Sequence, residues 1–305
     1  MLVTKELIKL WPLWEDPEVR DKIRELAHIA SNGEVKIEYE GEVEKVTFLT
    51  PWKKHRYYAV IQADGDNIGR HICKEGLSLK DISDFSEKCW RYSQEAAKKV
   101  RDFGGVPIYV GGDDLLAIVP VENDKEQNVF WLLQELREEF EGVFGKGESA
   151  PTLSFGVSIQ YYKFPLYESL ARARELLFGR AKNAAGKNAI ALRLQKHSGQ
   201  SLELVFKHGE NPADYLVPCK GFEDQLLHSV MTHLRLHNKL FAAALVKGTT
   251  LHTFRNIFHE ELHQVEDLPI QMYLLLKQCG SLATMDGILR LAKFFVELGE
   301  EENHG

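Results

Sequence analysis

The sequence is poor in cysteine and pairs none of what it has. Four stand in 305 residues, Cys73, Cys89, Cys219 and Cys279, with no C-x-x-C spacing. That excludes a disulfide framework and a zinc ribbon, and fits free thiols in a reducing cytoplasm. Long apolar runs are missing as well. No stretch reaches the roughly 18 apolar residues a spanning helix needs, so no membrane association is expected. The opening MLVTKELIKLWPLWEDPEVR has acids and a proline where a secretory signal needs a clean apolar segment. Nor is there an excess of positive charge. The net charge of −7 argues against a broadly basic nucleic-acid-binding surface, though local patches remain open.

What is present is the make-up of a folded protein, 44% hydrophobic and 27% charged, long enough for two domains. Residues 1–50 read as a leader or linker, with a short helix around Pro17–Ile29 and a hairpin in EVKIEYEGEVEKVTFL that turns at Gly41. From Tyr57 the pattern sharpens. YYAVIQADGD (57–66) reads as a buried strand. Phe85, Cys89, Tyr92, Ala96, Val100 and Phe103 recur at threes and fours, one face of a helix stopped by Gly104-Gly105. VPIYV and LLAIVPV are strands around GGDD, and Val129 to Phe140 mark a second helix. TLSFGVSIQYY is another strand, Leu170 to Ala181 a third helix, and NAIALRL a last strand. The order β-α-β-β-α-β followed by α-β predicts an α+β, ferredoxin-like domain over 51–196. Residues 197–219 read as a connector with one short strand. From 220 to 300 the β signals vanish, and stripes such as Phe222-Leu226-Val230-Leu234 predict a bundle of about four helices.

Acidic residues stand where strands end. Asp64 and Asp66 close the first strand in ADGDNIG, and Asp113 and Asp114 sit at the tip of an apolar hairpin. Side-by-side carboxylates repel one another and resist burial. If the two elements are neighbours, three or four carboxylates converge, and a hard cation such as Mg²⁺ or Mn²⁺ makes that tolerable. Gly111 and Gly112 permit a tight turn and a close approach of substrate. The turn at Asn67-Ile68-Gly69 can aim backbone N–H groups at phosphate. Downstream, RAKNAAGKN puts Lys182 and Lys187 where a helix enters the last strand, suited to a triphosphate. Taken singly, D-G-D is a turn, GGDD a hairpin loop and the lysines a solvated helix end. Their joint order points to two-metal phosphoryl transfer.

These segments, YYAVIQADGDNIG, GGVPIYVGGDDLLAIVPV, TLSFGVSIQYYKFPLYESLARARELL and AKNAAGKNAIAL, resemble the second palm domain of the large, polymerase-like subunit of type III CRISPR effector complexes. The resemblance covers about 57–195. It is similar, more distantly, to diguanylate cyclases, but Leu115 follows the acidic pair where those carry phenylalanine, and the R-x-x-D motif is missing upstream. The segment 220–300 is similar to that subunit's C-terminal helical domain by position and helical character only.

The resemblance implies an antiviral defence protein that converts ATP into cyclic oligoadenylates with two Mg²⁺ or Mn²⁺ ions when its complex binds target RNA. It implies that Asp64, Asp113 and Asp114 are catalytic and hold metal, with the Gly65 carbonyl as a further ligand. Gly65, Asp66, Asn67, Ile68 and Gly69, with Gly111 and Gly112, would line the nucleotide; Lys182 and Lys187 would bind phosphate, and Ser154 would contact nucleotide. Expected partners are a second palm domain, other effector subunits docked on the helical bundle, and guide and target RNA. The chain contains no His-Asp dipeptide for an HD nuclease, no cysteine pair for a zinc insert, and one palm where the family pairs two. The alternatives are a nucleotide-binding scaffold without turnover and a minimal synthase that acts as a homodimer. HEELH (259–263) fits the H-E-x-x-H zinc signature. Glu266 and Pro269 stand where the metzincin continuation asks for glycine and histidine, so a metalloprotease is not the expectation.

Overall fold

The computed structural model describes residues 34–39, 42–47, 56–69, 78–147, 150–258, 265 and 267–299. Strands β1 (Glu34–Tyr39) and β2 (Glu42–Thr47) pair antiparallel, with Tyr39 opposite Glu42. That is the hairpin the alternation around Gly41 predicts. The helix expected at Pro17–Ile29 lies outside the described residues.

Strand β3 (Tyr57–Asp66) begins the main sheet. Helix α1 (Leu79–Asp102) starts at a capping box, in which Ser78 Oγ accepts from the Asp81 N–H at 3.2 Å and Asp81 Oδ2 from the Ser78 N–H at 2.8 Å. Strands β4 (Val106–Gly111) and β5 (Asp114–Pro120) follow, then helix α2 (Val129–Phe144), capped by the Asn128 side chain. Strand β6 (Thr152–Tyr161) leads into helix α3 (Leu166–Glu175), which continues as a π-helical segment (Leu176–Ala184). Strands β7 (Ile190–Gln195) and β8 (Ser201–Phe206) complete the sheet. The spatial order is β4-β5-β3-β6-β7-β8. Only β6 and β7 run parallel, which is why a helical crossover joins them.

Alternation along β3 divides the two faces. Ala59, Ile61 and Ala63 bury against Tyr92, Ala96 and Val100 of α1 and Leu132, Leu136 and Phe140 of α2. On the other face, Leu176 and Ala181 of the π-helical segment pack with Ala189 and Ala191. Helix α3 lies so close over β6 that a Cβ on Gly156 would fall 2.2 Å from the Ala173 carbonyl oxygen, so only glycine fits there.

Residues 197–219 differ from the connector expected of them. Strand β8 pairs antiparallel with β7, Ile190 opposite Phe206. The reason is visible in LELVF, where Leu202, Leu204 and Phe206 alternate and so bury one face. Helix α4 (Pro212–Leu216) follows, then α5 (Asp224–Leu236), α6 (Asn238–Lys247), α7 (Thr250–Ile257), α8 (Leu268–Cys279) and α9 (Leu282–Gly299). Five helices thus follow Gly221 among the described residues rather than about four. The spacing gave no sign of α6 because it buries only Phe241 and Ala244. Leu227, Phe254, Leu276 and Leu289 of this helical part belong to the same buried cluster as Ile61 and Phe155. Sheet and bundle therefore share one core. HEELH lies outside the described residues. Among those described, no helix is long and apolar enough to cross a membrane.

Candidate active site

Strand pairing brings the acidic motifs to one end of the sheet. Ala63 lies opposite Leu115, so Asp64, one residue further, stands beside the Gly112–Asp113 turn. The turn has two residues, with φ +67° at Gly112, the II′ pattern suited to a twisted hairpin. Antiparallel β6 sets Ser154 opposite Asp64 and Thr152 opposite Asp66. Because β7 runs parallel to β6, its entry residues Lys187 and Asn188 arrive at the same end.

Asp113 and Asp64 lie on different sides of β3. The Asp113 carboxylate rests against Gly65 and accepts from its N–H. A Cβ on Gly65 would come within 2.6 Å of Asp113 Oδ2, so the glycine is what lets the carboxylate lie there. Burial raises the Asp113 carboxyl above its ordinary range; the charges of Asp114 and Asp66 add to this, against the lowering by backbone N–H groups. Asp114 is open to solvent, and partial loss of water around its carboxyl raises it too. Ser93 on α1 reaches the Gly112 carbonyl at 3.3 Å and ties the helix to the turn.

On the other side, Lys182 of the π-helical segment contacts the Asp64 carboxylate and donates to the Gly65 carbonyl at 2.8 Å. Burial, then the like charge of Lys187, push its ammonium down to about 8, while the Asp64 carboxylate in contact opposes that. Lys187 donates to Asn67 Oδ1 at 2.9 Å, and both residues have left-handed backbones, φ +77° and +64°. Ile68 packs against the core and Gly69 is exposed.

Asp66 and Ser154 lie deeper than the sequence suggests. Both are fully buried. Asp66 Oδ2 accepts from Ser154 Oγ at 2.7 Å, Thr152 Oγ1 at 2.9 Å and the Asn188 N–H at 2.9 Å. Oδ1 has no hydrogen-bond partner and faces Lys182 at 3.4 Å. The contact expected between Ser154 and nucleotide is therefore corrected: its hydroxyl serves Asp66 under the surface. Asp66 likewise acts from below, fixing the entry to β7. Asp66→Ala is expected to lower stability by about 3 kcal/mol or more, since it orphans three donors and part of a buried ion pair. Denaturant melts read this, and an unchanged midpoint would remove Asp66 from that role.

The grouping of the acids also differs from expectation. Among the described residues, no three acidic, histidine or cysteine side chains gather about one point. Each carboxylate is turned to its own donor instead, Asp64 to Lys182 and Asp113 to the Gly65 N–H. The donor set still fits a hard cation. Asp64 and the Gly65 carbonyl are hard oxygen donors already in contact with an ammonium, and Asp113 and Asp114 stand next to them without a basic partner among the described residues.

Beside the turn, a cavity of about 640 Å³ opens between α1 and the end of β4. Ile82, Phe85 and Trp90 give it apolar walls, Ser86 and Gln94 give it polar groups, and Gly111 and Gly112 form its edge. The helix periodicity showed Phe85 in the stripe of α1 but not Ile82 and Trp90 of this wall.

Residues 57–191 match the model of the Cas10/Cmr2 second palm domain. Over those residues the chain is similar to that family. The chain is 28% identical over 246 residues to the CRISPR system Cmr subunit Cmr2 of Pyrococcus furiosus, covering 70% of this chain and 28% of that one. It thus spans less than a third of that relative's length. Among solved structures, a Csm1-Csm4 cassette in complex with AMPPNP superposes with a TM-score of 0.52 at 16% identity, covering 86% of this chain and 40% of that one. The same cassette in complex with cA3 gives 0.50 at 15%, covering 86% and 40%. At such identities these superpositions speak for the fold alone. The chain is thus similar to proteins of the Cmr2 and Csm1 kind, one named as a CRISPR system subunit and the other solved in a Csm1-Csm4 cassette.

Proposed function

We propose that this chain supplies one half of a nucleotidyltransferase site that turns ATP into cyclic oligoadenylates within an RNA-guided type III effector complex. The observation that carries the reading is the β3–β5 register, which sets Asp64 beside the Asp113–Asp114 turn, with Lys182 and Lys187 at the same sheet end. Asp64, Asp113, Asp114 and the Gly65 carbonyl would hold two Mg²⁺ or Mn²⁺ ions. Bound there, such ions would supply Lewis-acid activation of an attacking hydroxyl and stabilisation of leaving pyrophosphate. In each transfer a 3′-hydroxyl oxygen bonds to the α-phosphorus of the next nucleotide. The α–β anhydride bond breaks, pyrophosphate leaves, and the hydroxyl proton is released.

The chain's own groups have separable tasks. Lys182 and Lys187 neutralise the triphosphate. The Asn67–Gly69 turn offers backbone N–H groups to it. The cavity between α1 and the turn is of a size for a purine base, with apolar walls for its faces and hydroxyl and amide groups for its edge. A second palm, from another subunit or a second copy, completes the site, and the helical bundle meets neighbouring subunits. Likeness to a Csm1-Csm4 cassette with bound AMPPNP supports a nucleotide at this fold. The contact of Lys182 with Asp64 favours a second reading, a palm that binds nucleotide without turning it over.

The test supplies the chain with a partner palm subunit, radiolabelled ATP and Mg²⁺. Oligoadenylate and pyrophosphate are the expected products. Bound but unconsumed ATP would leave the scaffold reading standing.

A further inference from the structure

A second polar cavity, of about 240 Å³, lies where the far ends of β7 and β8 meet α5 and α9. Lys196 ends the stretch that leaves β7, whereas Asn188 enters it at the acidic end. By strand rise the two places are about 25 Å apart. Four cationic side chains line the cavity, Lys196, Arg235, Arg290 and Lys293, together with His228, and no acidic residue lines it among the described residues.

The carboxylates that hold these cations are not among the cavity's lining residues. Glu297 takes Lys196 at 2.7 Å and Lys293 at 3.6 Å, Asp224 takes Lys293, and Asp286 takes Arg235 at 3.1 Å. Arg290 has no carboxylate partner among the described residues; its guanidinium donates to the Ser201 carbonyl at 3.1 Å. Four cations thus stand against three carboxylates, and each long side chain already has a hydrogen-bond or ion-pair partner. Leu194, Leu202 and Met231 supply apolar surface, which strengthens the field of the surplus charge. Guanidinium forks suit tetrahedral oxyanions, which they grip through paired N–H donors. The volume falls below that of sites for whole drug-sized ligands, so it suits one phosphate group rather than a complete nucleotide.

We propose that this cavity is a binding site for a phosphate group, separate from the acidic end of the sheet. Phosphate of this kind is carried by a ribonucleic acid backbone or by a free anion, and the test tells them apart. Inorganic phosphate, pyrophosphate and a fluorescent oligoribonucleotide are titrated into the full chain, with anisotropy reading the last and the His228 ring resonances reading all three.

The expected result is saturable binding that shifts the His228 signals. Arg290→Gln weakens it about tenfold and lowers the salt slope for the oligonucleotide by about 1. Arg290→Lys keeps the charge but not the fork and retains part of the affinity, which guards against loss through misfolding. Binding of the oligonucleotide alone identifies a nucleic-acid backbone; binding of the small anions as well identifies a free-anion site. No saturable binding of any probe, or equal binding by wild type and Arg290→Gln, overturns the proposal. Nucleotide binding at the acidic end is unaffected by Arg290→Gln, so failure here leaves the proposed function untouched.

Discussion

Changing Asp113 and Asp114 together to asparagine is expected to lower oligoadenylate synthesis about 10³-fold or more in a complex supplied with a partner palm. The substitutions keep shape and remove charge. One preorganised electrostatic contact is commonly worth about 10²–10³ in turnover. Two groups that act as a unit do not simply multiply, so the expectation stays at the upper end of that range. Stability should move the other way. Burial holds both carboxyls above their ordinary range, and the charge of Asp114 adds to this at Asp113, so replacing them relieves a strain of the folded state, and the thermal midpoint should stay level or rise. Lost activity in a protein at least as stable is the signature of a functional pair. Product at the wild-type level from the double variant would sink the assignment, and lost activity with a collapsed midpoint would mean that the pair serves the fold.

The sequence made the sheet end legible because its signals are local and periodic. Strand alternation and helix stripes located β3 to β7, and a βαββαβ order has few ways to pair, so the meeting of Asp64 with the GGDD turn followed from topology. The depth of side chains was not legible. Asp66 and Asp64 share a face of β3, yet one is fully buried under Thr152 and Ser154 and the other meets Lys182. Composition does not distinguish such neighbours; the crossover helix lying over Gly156 does. Alternation in β6 could have paired Thr152 with Ser154 on the Asp66 face. Nothing in GKN announces the left-handed turn at Lys187 and Asn188 that aims the Asn188 N–H at Asp66. Strand β8 was seen but placed in a connector, since a six-residue alternating run says nothing of its partner.

Lys182→Met should move two measurements in opposite directions. The Lys182 ammonium touches the Asp64 carboxylate and the Gly65 carbonyl, two of the groups proposed to hold a divalent cation. A bound ammonium and a divalent ion compete for the same oxygens, so the cation can settle only as Lys182 swings away, and a triphosphate offers it a new partner. Removing the charge should strengthen Mn²⁺ binding to the free chain about tenfold, a conservative figure for two charges in contact in a partly screened site. The same change should lower oligoadenylate synthesis about 10²-fold, since one charge that neutralises the transferring phosphates is gone. Electron paramagnetic resonance of Mn²⁺ reads the first effect without any turnover. Lys182→Arg, which keeps the charge, should leave Mn²⁺ binding weak and restore part of the synthesis. Mn²⁺ binding that is unchanged or weaker in Lys182→Met would show that the lysine supports the cation site instead of competing for it. The contact seen with Asp64 would then be a structural ion pair.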